Sequence, residues 1–414
     1  MLRSMYSGIS GLRNFQTKLD VIGNNIANVN TAGFKKGRVT FKDAMSQTIA
    51  GASASTDNRG GKNAMQVGLG SSLASIDTIH TGSSLQSTNR PQDLSIEGDG
   101  YFVVKQGNAQ YYTRAGNFYL DDKGALVNGD GYKVQAYKYA ADGKTLTNNY
   151  GDVAINVNAV LPATPTDQIS VSGNLDVGAI EGTIITQQIK VIDEKGKVHD
   201  LDVHYKKTSA DEWQVYYGGV TRKELEDDDT IAGQLKITVG TDGKLTLDPV
   251  DGSAISIILG KDENDDDIEL KPKIAIGDIS VDKGGTTAFS DPNGYLEGKL
   301  ESFSIGAMGE INGVYSNGEI ATLGRLAIAK FSNTSGLNKT GSNLFQETIS
   351  SGTANVGAAG DGRGTIASGT LEMSNVDLSE EFTEMITAQR GFQANTRIIT
   401  TSDEILQELV NLKR

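Results

Sequence analysis

Leu12-Arg13-Asn14-Phe15-Gln16-Thr17-Lys18-Leu19-Asp20-Val21-Ile22-Gly23-Asn24-Asn25-Ile26-Ala27-Asn28-Val29 is the stretch on which the reading of this chain turns. Leu12, Phe15, Leu19, Ile22, Ile26 and Val29 stand alternately three and four residues apart, the a/d spacing of a narrow helical seam, and Met5 extends the row backwards. At the far end of the chain Leu378, Met385, Phe392, Ile399 and Leu406 recur every seven residues, with Phe382, Ile398, Ile405, Leu409 and Val410 widening the stripe. At about 1.5 Å per residue the first helix would run about 38 Å and the second about 50 Å. A lone amphipathic helix is most often a surface helix of a globular domain. Two of them at opposite ends, both outside a β-patterned middle, each need another surface to cover the seam. They are expected to pair as a coiled coil with each other and with neighbouring copies in a polymer.

Composition narrows the rest. The chain has 414 residues, too many for one core. Glycine, at 50 residues against 6 prolines, points to many turns. A net charge of −14 argues against nucleic acid or an anionic membrane as a partner. The absence of cysteine excludes disulfides, thiolate zinc sites and cysteine nucleophiles. It is compatible with an extracellular protein that leaves the cytoplasm unfolded. No apolar run approaches the ~20 residues of a membrane span. Met1-Leu2-Arg3-Ser4-Met5-Tyr6-Ser7-Gly8 lacks the apolar core of a cleavable secretory signal, so export, if it occurs, is expected by another route.

Asparagines end the first helix near Asn28-Val29-Asn30, and Thr31-Ala32-Gly33 completes the stop. The run Gly23-Asn24-Asn25-Ile26-Ala27-Asn28-Val29-Asn30-Thr31-Ala32-Gly33-Phe34-Lys35-Lys36 resembles the N-terminal signature of the bacterial flagellar rod and hook family, with Asn24, Asn25, Asn28, Asn30, Gly33 and Phe34 as its motif positions. Ser374-Asn375-Val376-Asp377-Leu378-Ser379-Glu380-Glu381-Phe382 and Ala388-Gln389-Arg390-Gly391-Phe392-Gln393-Ala394-Asn395 resemble the same family. Gly391 departs from good helical sequence and is expected to permit a bend. Acidic residues near Asp377 suit the start of the second helix, and Lys413-Arg414 its end.

Between the ends the pattern is β. Residues 37 to 80, rich in Ser, Ala, Gly, Thr and Asn, read as an extended connector. Leu94 to Val104 reads as strand, Gly98-Asp99-Gly100 turn, strand; Gly-Asp-Gly-Tyr-Phe-Val-Val again resembles the family. Leu201, Val203 and Tyr205 alternate with polar residues, as do Trp213, Val215 and Tyr217. Thr241-Asp242-Gly243-Lys244 reads as a hairpin turn. Ser302 to Phe331 returns to strands and resembles the hook branch of the family.

The expected fold is multidomain and mainly β, two nested β domains with long helical N- and C-terminal segments. The expected division is a terminal helical core (1–30 with 375–414), an extended linker region (31–84 with 351–374), a first β domain (85–144 with 286–350) and an inserted outer β domain (145–285).

Nothing in the chain singles out chemistry, and no cofactor or metal is expected. His199 and His204 are five apart and face opposite sides of a regular strand, and His80 has only Asp77 as an acidic neighbour. The run Asp262-Glu263-Asn264-Asp265-Asp266-Asp267 fails the calcium-loop template, with Asp267 at the glycine position and Lys273 at the glutamate position. Gly360, Gly362 and Gly364 miss the dinucleotide spacing, because Thr365 stands where its third glycine would be.

The resemblance implies a structural subunit of the flagellar hook, without enzymatic activity. Such subunits leave through the flagellar type III export apparatus without a cleaved signal and polymerise outside the cell into a curved helical tube. The tube acts as a universal joint carrying torque from rod to filament. Implied partners are other copies of the chain, the distal rod protein, the hook cap protein and the hook-filament junction protein, with no membrane span. A distal rod protein of the same family is the nearest rival. A secreted β-rich adhesin or glycosidase would explain the β body but not the terminal seams.

Overall fold

The computed structural model describes residues 2–55, 59–139, 145–156, 160–209, 212–218, 234–239, 245–248, 257–261, 267–280 and 282–412. The chain divides into two compact units. One comprises Met1–Asn156, Phe303–Gly313 and Thr322–Arg414; the other comprises Val157–Ser302 and Val314–Ala321. Residues 145 to 156 thus belong with the first unit, and 286 to 302 with the second, so both edges of the inserted segment lie later than the sequence pattern suggested. The reason is pairing: Leu146–Asp152 forms a ladder with Lys133–Tyr139, and Phe289–Pro292 with Gln168–Asn174.

The first unit holds both helices, α1 (Leu2–Ala27) and α2 (Leu378–Asn411). Asp377 caps α2, its carboxylate accepting from the backbone N–H groups of Ser379 and Glu380. The turn after α1 is held by Asn28, whose amide donates to the Asn24 carbonyl at 2.9 Å. Gly33 follows at φ 69°, in the left-handed region that favours glycine. The expected end of the α2 dipole, Lys413-Arg414, lies outside the described residues.

Residues 37 to 80, read as a connector, fold back on themselves. Gly37–Asp43 pairs antiparallel with Ser71–Thr78, and Ser46–Ala50 with Met65–Gly68. The result is a two-stranded ribbon against α1, where the Asn14 amide donates to the Ser71 hydroxyl at 2.8 Å. Residues 351 to 370, the expected return connector, also enter the sheets. Asn355–Ala358 pairs with Ile320–Lys330, and Thr365–Ser368 with Leu94–Glu97.

The β body of this unit is a sheet in the order Ile320–Lys330, Lys133–Tyr139, Tyr101–Gln106, Ala109–Thr113, Leu344–Gln346, Asn338–Gly341. Strands from before and after the inserted segment therefore interleave. Leu94–Glu97 and Tyr101–Gln106, on either side of Gly98-Asp99-Gly100, do not pair with each other. The first takes Thr365–Ser368 as its partner and the second Ala109–Thr113. Tyr101, Val103, Tyr112, Ala327, Ala329, Phe331, Leu337 and Phe345 form one core cluster.

The second unit packs a five-stranded antiparallel sheet, from Ile184–Ile192 to Leu245–Asp248, with a three-stranded sheet in the order Lys273–Ser280, Gln168–Asn174, Phe289–Pro292. Leu201, Val203, Tyr205, Trp213, Val215 and Tyr217 are all buried in its core, as the alternation requires. The strands flanking the expected Thr241 to Lys244 turn do pair; the turn itself lies outside the described residues. So does the acidic run from Asp262 to Asp267, apart from Asp267 itself. His199 bonds Asp193 at 3.0 Å and His204 bonds Thr186 at 2.8 Å, each with its own partner. No group of metal-ligating side chains occurs among the described residues.

Candidate functional site

The two helices lie side by side and run antiparallel. A Cβ on Gly8 would touch Ile399, one on Gly11 would meet the Asn395 amide, and one on Gly391 would lie 2.4 Å from Cζ of Phe15. Lys18 forms an ion pair with Glu384, and the Asn25 amide donates to the Glu381 carboxylate at 3.2 Å. Gly391 is therefore the seat of the Phe15 ring. The expected bend site is a close approach between helices, with glycine providing the space. In this register α2 runs past the start of α1, leaving Ile405, Val410 and Leu412 exposed.

Ile22 is buried in the seam, and Leu12, Phe15, Leu19, Ile26 and Val29 are partly covered. On α2 Met385, Ile399 and Leu406 are partly covered, whereas Leu378, Phe382 and Phe392 stay exposed, Phe382 at 50%. The residues of α2 buried most deeply are Glu381, Ala388 and Ser402, and Asn395 belongs to the same row. That row also repeats every seven residues. A hydrophobicity pattern passes over it because its members are small or polar; the signal was that a heptad seam needs two rows, and only one is apolar. Burial raises the Glu381 carboxyl above its ordinary range, against the opposing Asn25 bond.

Below the helix pair lies a joint to the β body. Asn25, 1% exposed, grips Gly37 through both ends of its amide, at 2.9 Å to the Gly37 N–H and 2.9 Å to its carbonyl. Asn30 is exposed. Gly33 presses on the body, where a Cβ would lie 2.5 Å from the Ala115 nitrogen. Phe34 is buried beneath the Lys339 ammonium, 4.9 Å from its ring centre. Asn343 donates to the Ala32 carbonyl at 3.1 Å, and Lys339 to that of Lys35 at 2.9 Å.

At the centre of the joint is Glu372. Its side chain is 1% exposed and pairs with Lys35, 0% exposed, at 2.6 Å and with Arg114 at 3.3 Å. The Gly33 N–H donates to its backbone carbonyl at 2.8 Å. Lys35 also donates to the Thr81 carbonyl, and Arg114 to the carbonyls of Ile96 and Gly98. Asn375 accepts from the Lys36 N–H at 2.7 Å and donates to the Ile79 carbonyl at 2.8 Å. Burial pushes the Lys35 ammonium below its ordinary range, and Glu372 pulls it back up. His80 bonds the Tyr101 hydroxyl at 2.7 Å; burial first, then the Lys35, Lys339 and Arg114 charges, push its imidazole down to about 4. In the sequence Lys35 stands out only as part of the family-like string, and no pattern marks Arg114 or Glu372. A lone Glu between Leu371 and Met373 was the available hint of a buried charge.

Comparison with known proteins identifies what this arrangement belongs to. Residues 5–35 match the family model described as flagella basal body rod protein. Residues 95–198 match that of the flagellar hook protein FlgE/F/G D1 domain, and 367–412 that of the flagellar basal body rod FlgEFG protein C-terminal. Over 446 residues, covering 100% of both chains, the sequence is 39% identical to the flagellar hook protein FlgE of Borreliella burgdorferi. The chain belongs to the flagellar hook protein family. Its hook relatives include FlgE of Escherichia coli, 33% identical with 98% of each chain covered. A flagellar basal-body rod protein, FlgG of Bacillus subtilis, is 40% identical with 100% of each chain covered. The crystal structure of Helicobacter pylori flagellar hook protein FlgE2 has a TM-score of 0.50 at 14% identity. It covers 70% of this chain and 100% of that one, a likeness of fold.

The hook family supplies the role: this chain is a structural subunit of the flagellum. Two of the three matched segments contain the helices, and the joint's Gly33, Lys35, Arg114 and Glu372 all fall within matched residues. No described helix is long and apolar enough to cross a membrane.

Proposed function

We propose that copies of this chain polymerise outside the cell into a short curved tube that joins rod to filament as a universal joint. The observation that carries this is the uncovered apolar surface beside the α1–α2 seam. Phe382, Ile386 and Phe392 stand exposed on α2, with Ile405 and Val410 farther along it. Tyr6 and Ile9 do so on α1. A row of large apolar side chains left open after two helices have paired calls for further helices, and contacts between unlike patches of successive copies build a helical polymer rather than a closed ring. The terminal core, 1–30 with 375–414, is then the inner, torsionally stiff part, and the β units form the outer layers. Export is by the flagellar type III apparatus without a cleaved signal, and the neighbours are the distal rod, hook cap and hook-filament junction proteins. The role is mechanical, without catalysis or cofactor.

Electron microscopy of tubes assembled from the purified chain tests this. Curved tubes are expected, and Phe382→Asp should abolish them while leaving the monomer's thermal transition in place. A second reading, a distal rod subunit, is favoured by the 40% identity to the Bacillus subtilis rod protein. Straight, unbending tubes would establish that reading instead.

A further inference from the structure

We propose that the buried Lys35–Glu372–Arg114 network is a positioning lock that fixes the helix pair at one setting on the β body and carries load between them. The proposal rests on the hook reading, because only a subunit under torque has a load to carry. Four stretches of chain meet at one carboxylate: the outgoing strand through Lys35, the segment after the ribbon through Ser83, the β body through Arg114, and the strand into α2 through Glu372 itself, whose backbone carbonyl also accepts from the Gly33 N–H. The network ties the chain that leaves α1 and the chain that enters α2 to the sheet at one point, alongside the Asn25, Asn343, Asn375 and Lys339 bonds, so a twist applied to the helices bears on it.

Three charged side chains, each 4% exposed or less, are a poor means of adding stability, since a buried ion triad replaced by apolar residues of similar volume is often neutral or stabilising. What the triad supplies and an apolar plug does not is direction. Apolar contact is non-directional and tolerates sliding, whereas hydrogen bonds between charged groups weaken steeply off their geometry. Lys35 and Arg114 are in turn fixed by backbone carbonyls of Thr81, Ile96 and Gly98, so the lock is referred to the ribbon and to the sheet at once. Gly33, which can carry no side chain against Ala115, keeps the outgoing strand seated on the body.

The test is the triple variant Lys35→Met, Arg114→Met, Glu372→Leu in the full chain. In the monomer, thermal stability is expected to match or exceed wild type. The amides of Gly33 and Lys36, which donate into the joint, should exchange on the order of tenfold faster or more, with amides in the Tyr101–Gln106 strand unchanged. Tubes of the variant should lose torsional stiffness, read from the rotational fluctuations of a tethered bead, or fail to form at all despite an intact monomer. Unchanged exchange at Gly33 and Lys36 would overturn the proposal, as would tubes of wild-type stiffness. A collapse of the monomer's thermal transition would overturn it too, by showing the triad to be ordinary structural core. Failure of wild-type chain to form tubes would defeat the hook reading separately, leaving the exchange comparison to decide whether the lock exists.

Discussion

At the scale of single residues, the positions that organise the terminal region are ones whose propensity points the wrong way. Alanine is about 1 kcal/mol better than glycine inside a helix, so Gly391→Ala should stabilise α2 if it were free. Its Cβ would instead lie 2.4 Å from the Phe15 ring. The variant is expected to weaken helix pairing and tube assembly, with partial recovery in Gly391→Ala/Phe15→Leu; circular dichroism melts of the helical signal check this, and a rise in stability would contradict it. Gly391 was legible as a glycine in a helix but not as a seat, because Phe15 comes from the opposite end of the chain. His80 gives a pH dependence. Its imidazole titrates near 6.5 when unfolded and near 4 when folded. Between those values the unfolded chain binds the extra proton, so stability is full above about 6.5, falls as pH drops toward 4, and loses no more from this group below that. His80→Phe, lower in overall stability because Tyr101 loses its partner, should show a shallower loss across that window in chemical denaturation. An unchanged slope would remove His80 as the cause.

At the scale of elements, the apolar row of α1 was visible in the sequence because it is continuous; Ile22 is its one buried member, Leu12, Phe15, Leu19 and Ile26 are partly covered, and Val29 lies past the helix end. On α2 the apolar row was visible and the polar row of Glu381, Ala388, Asn395 and Ser402 was not. Phe382 and Phe392 are drawn by composition to the same stripe, yet they remain exposed. Leu19→Asp should separate the two levels of structure: burying a charge in the seam costs about 3 kcal/mol or more and should abolish helix pairing and tube formation. The β units' calorimetric transition should stay where it is, and a lowered transition would show that the helices stabilise the body directly. The ribbon from Gly37 to Thr78 was the least legible element. Its ladder, with a register shift between Thr40 and Phe41, is closed across a long intervening stretch, and composition rich in small polar residues reads as connector whether or not the backbone pairs.

At the scale of the whole molecule, the nested order of helix, β, inserted β, β and helix could be read from sequence, since distinctive strings mark both ends and alternation marks the strands. The edges of the insertion could not, because they depend on which distant strand Leu146–Asp152 and Phe289–Pro292 select. Isolated helices with one uncovered face are marginal in water, so α2 should open readily in the free chain and become fixed only when other copies cover Phe382, Phe392, Ile405 and Val410. Hydrogen exchange of residues 378–411, compared between monomer and assembled tube, measures this directly. Rapid exchange in the monomer and strong protection in the tube is the predicted result; slow exchange in the monomer that assembly leaves unchanged would contradict it.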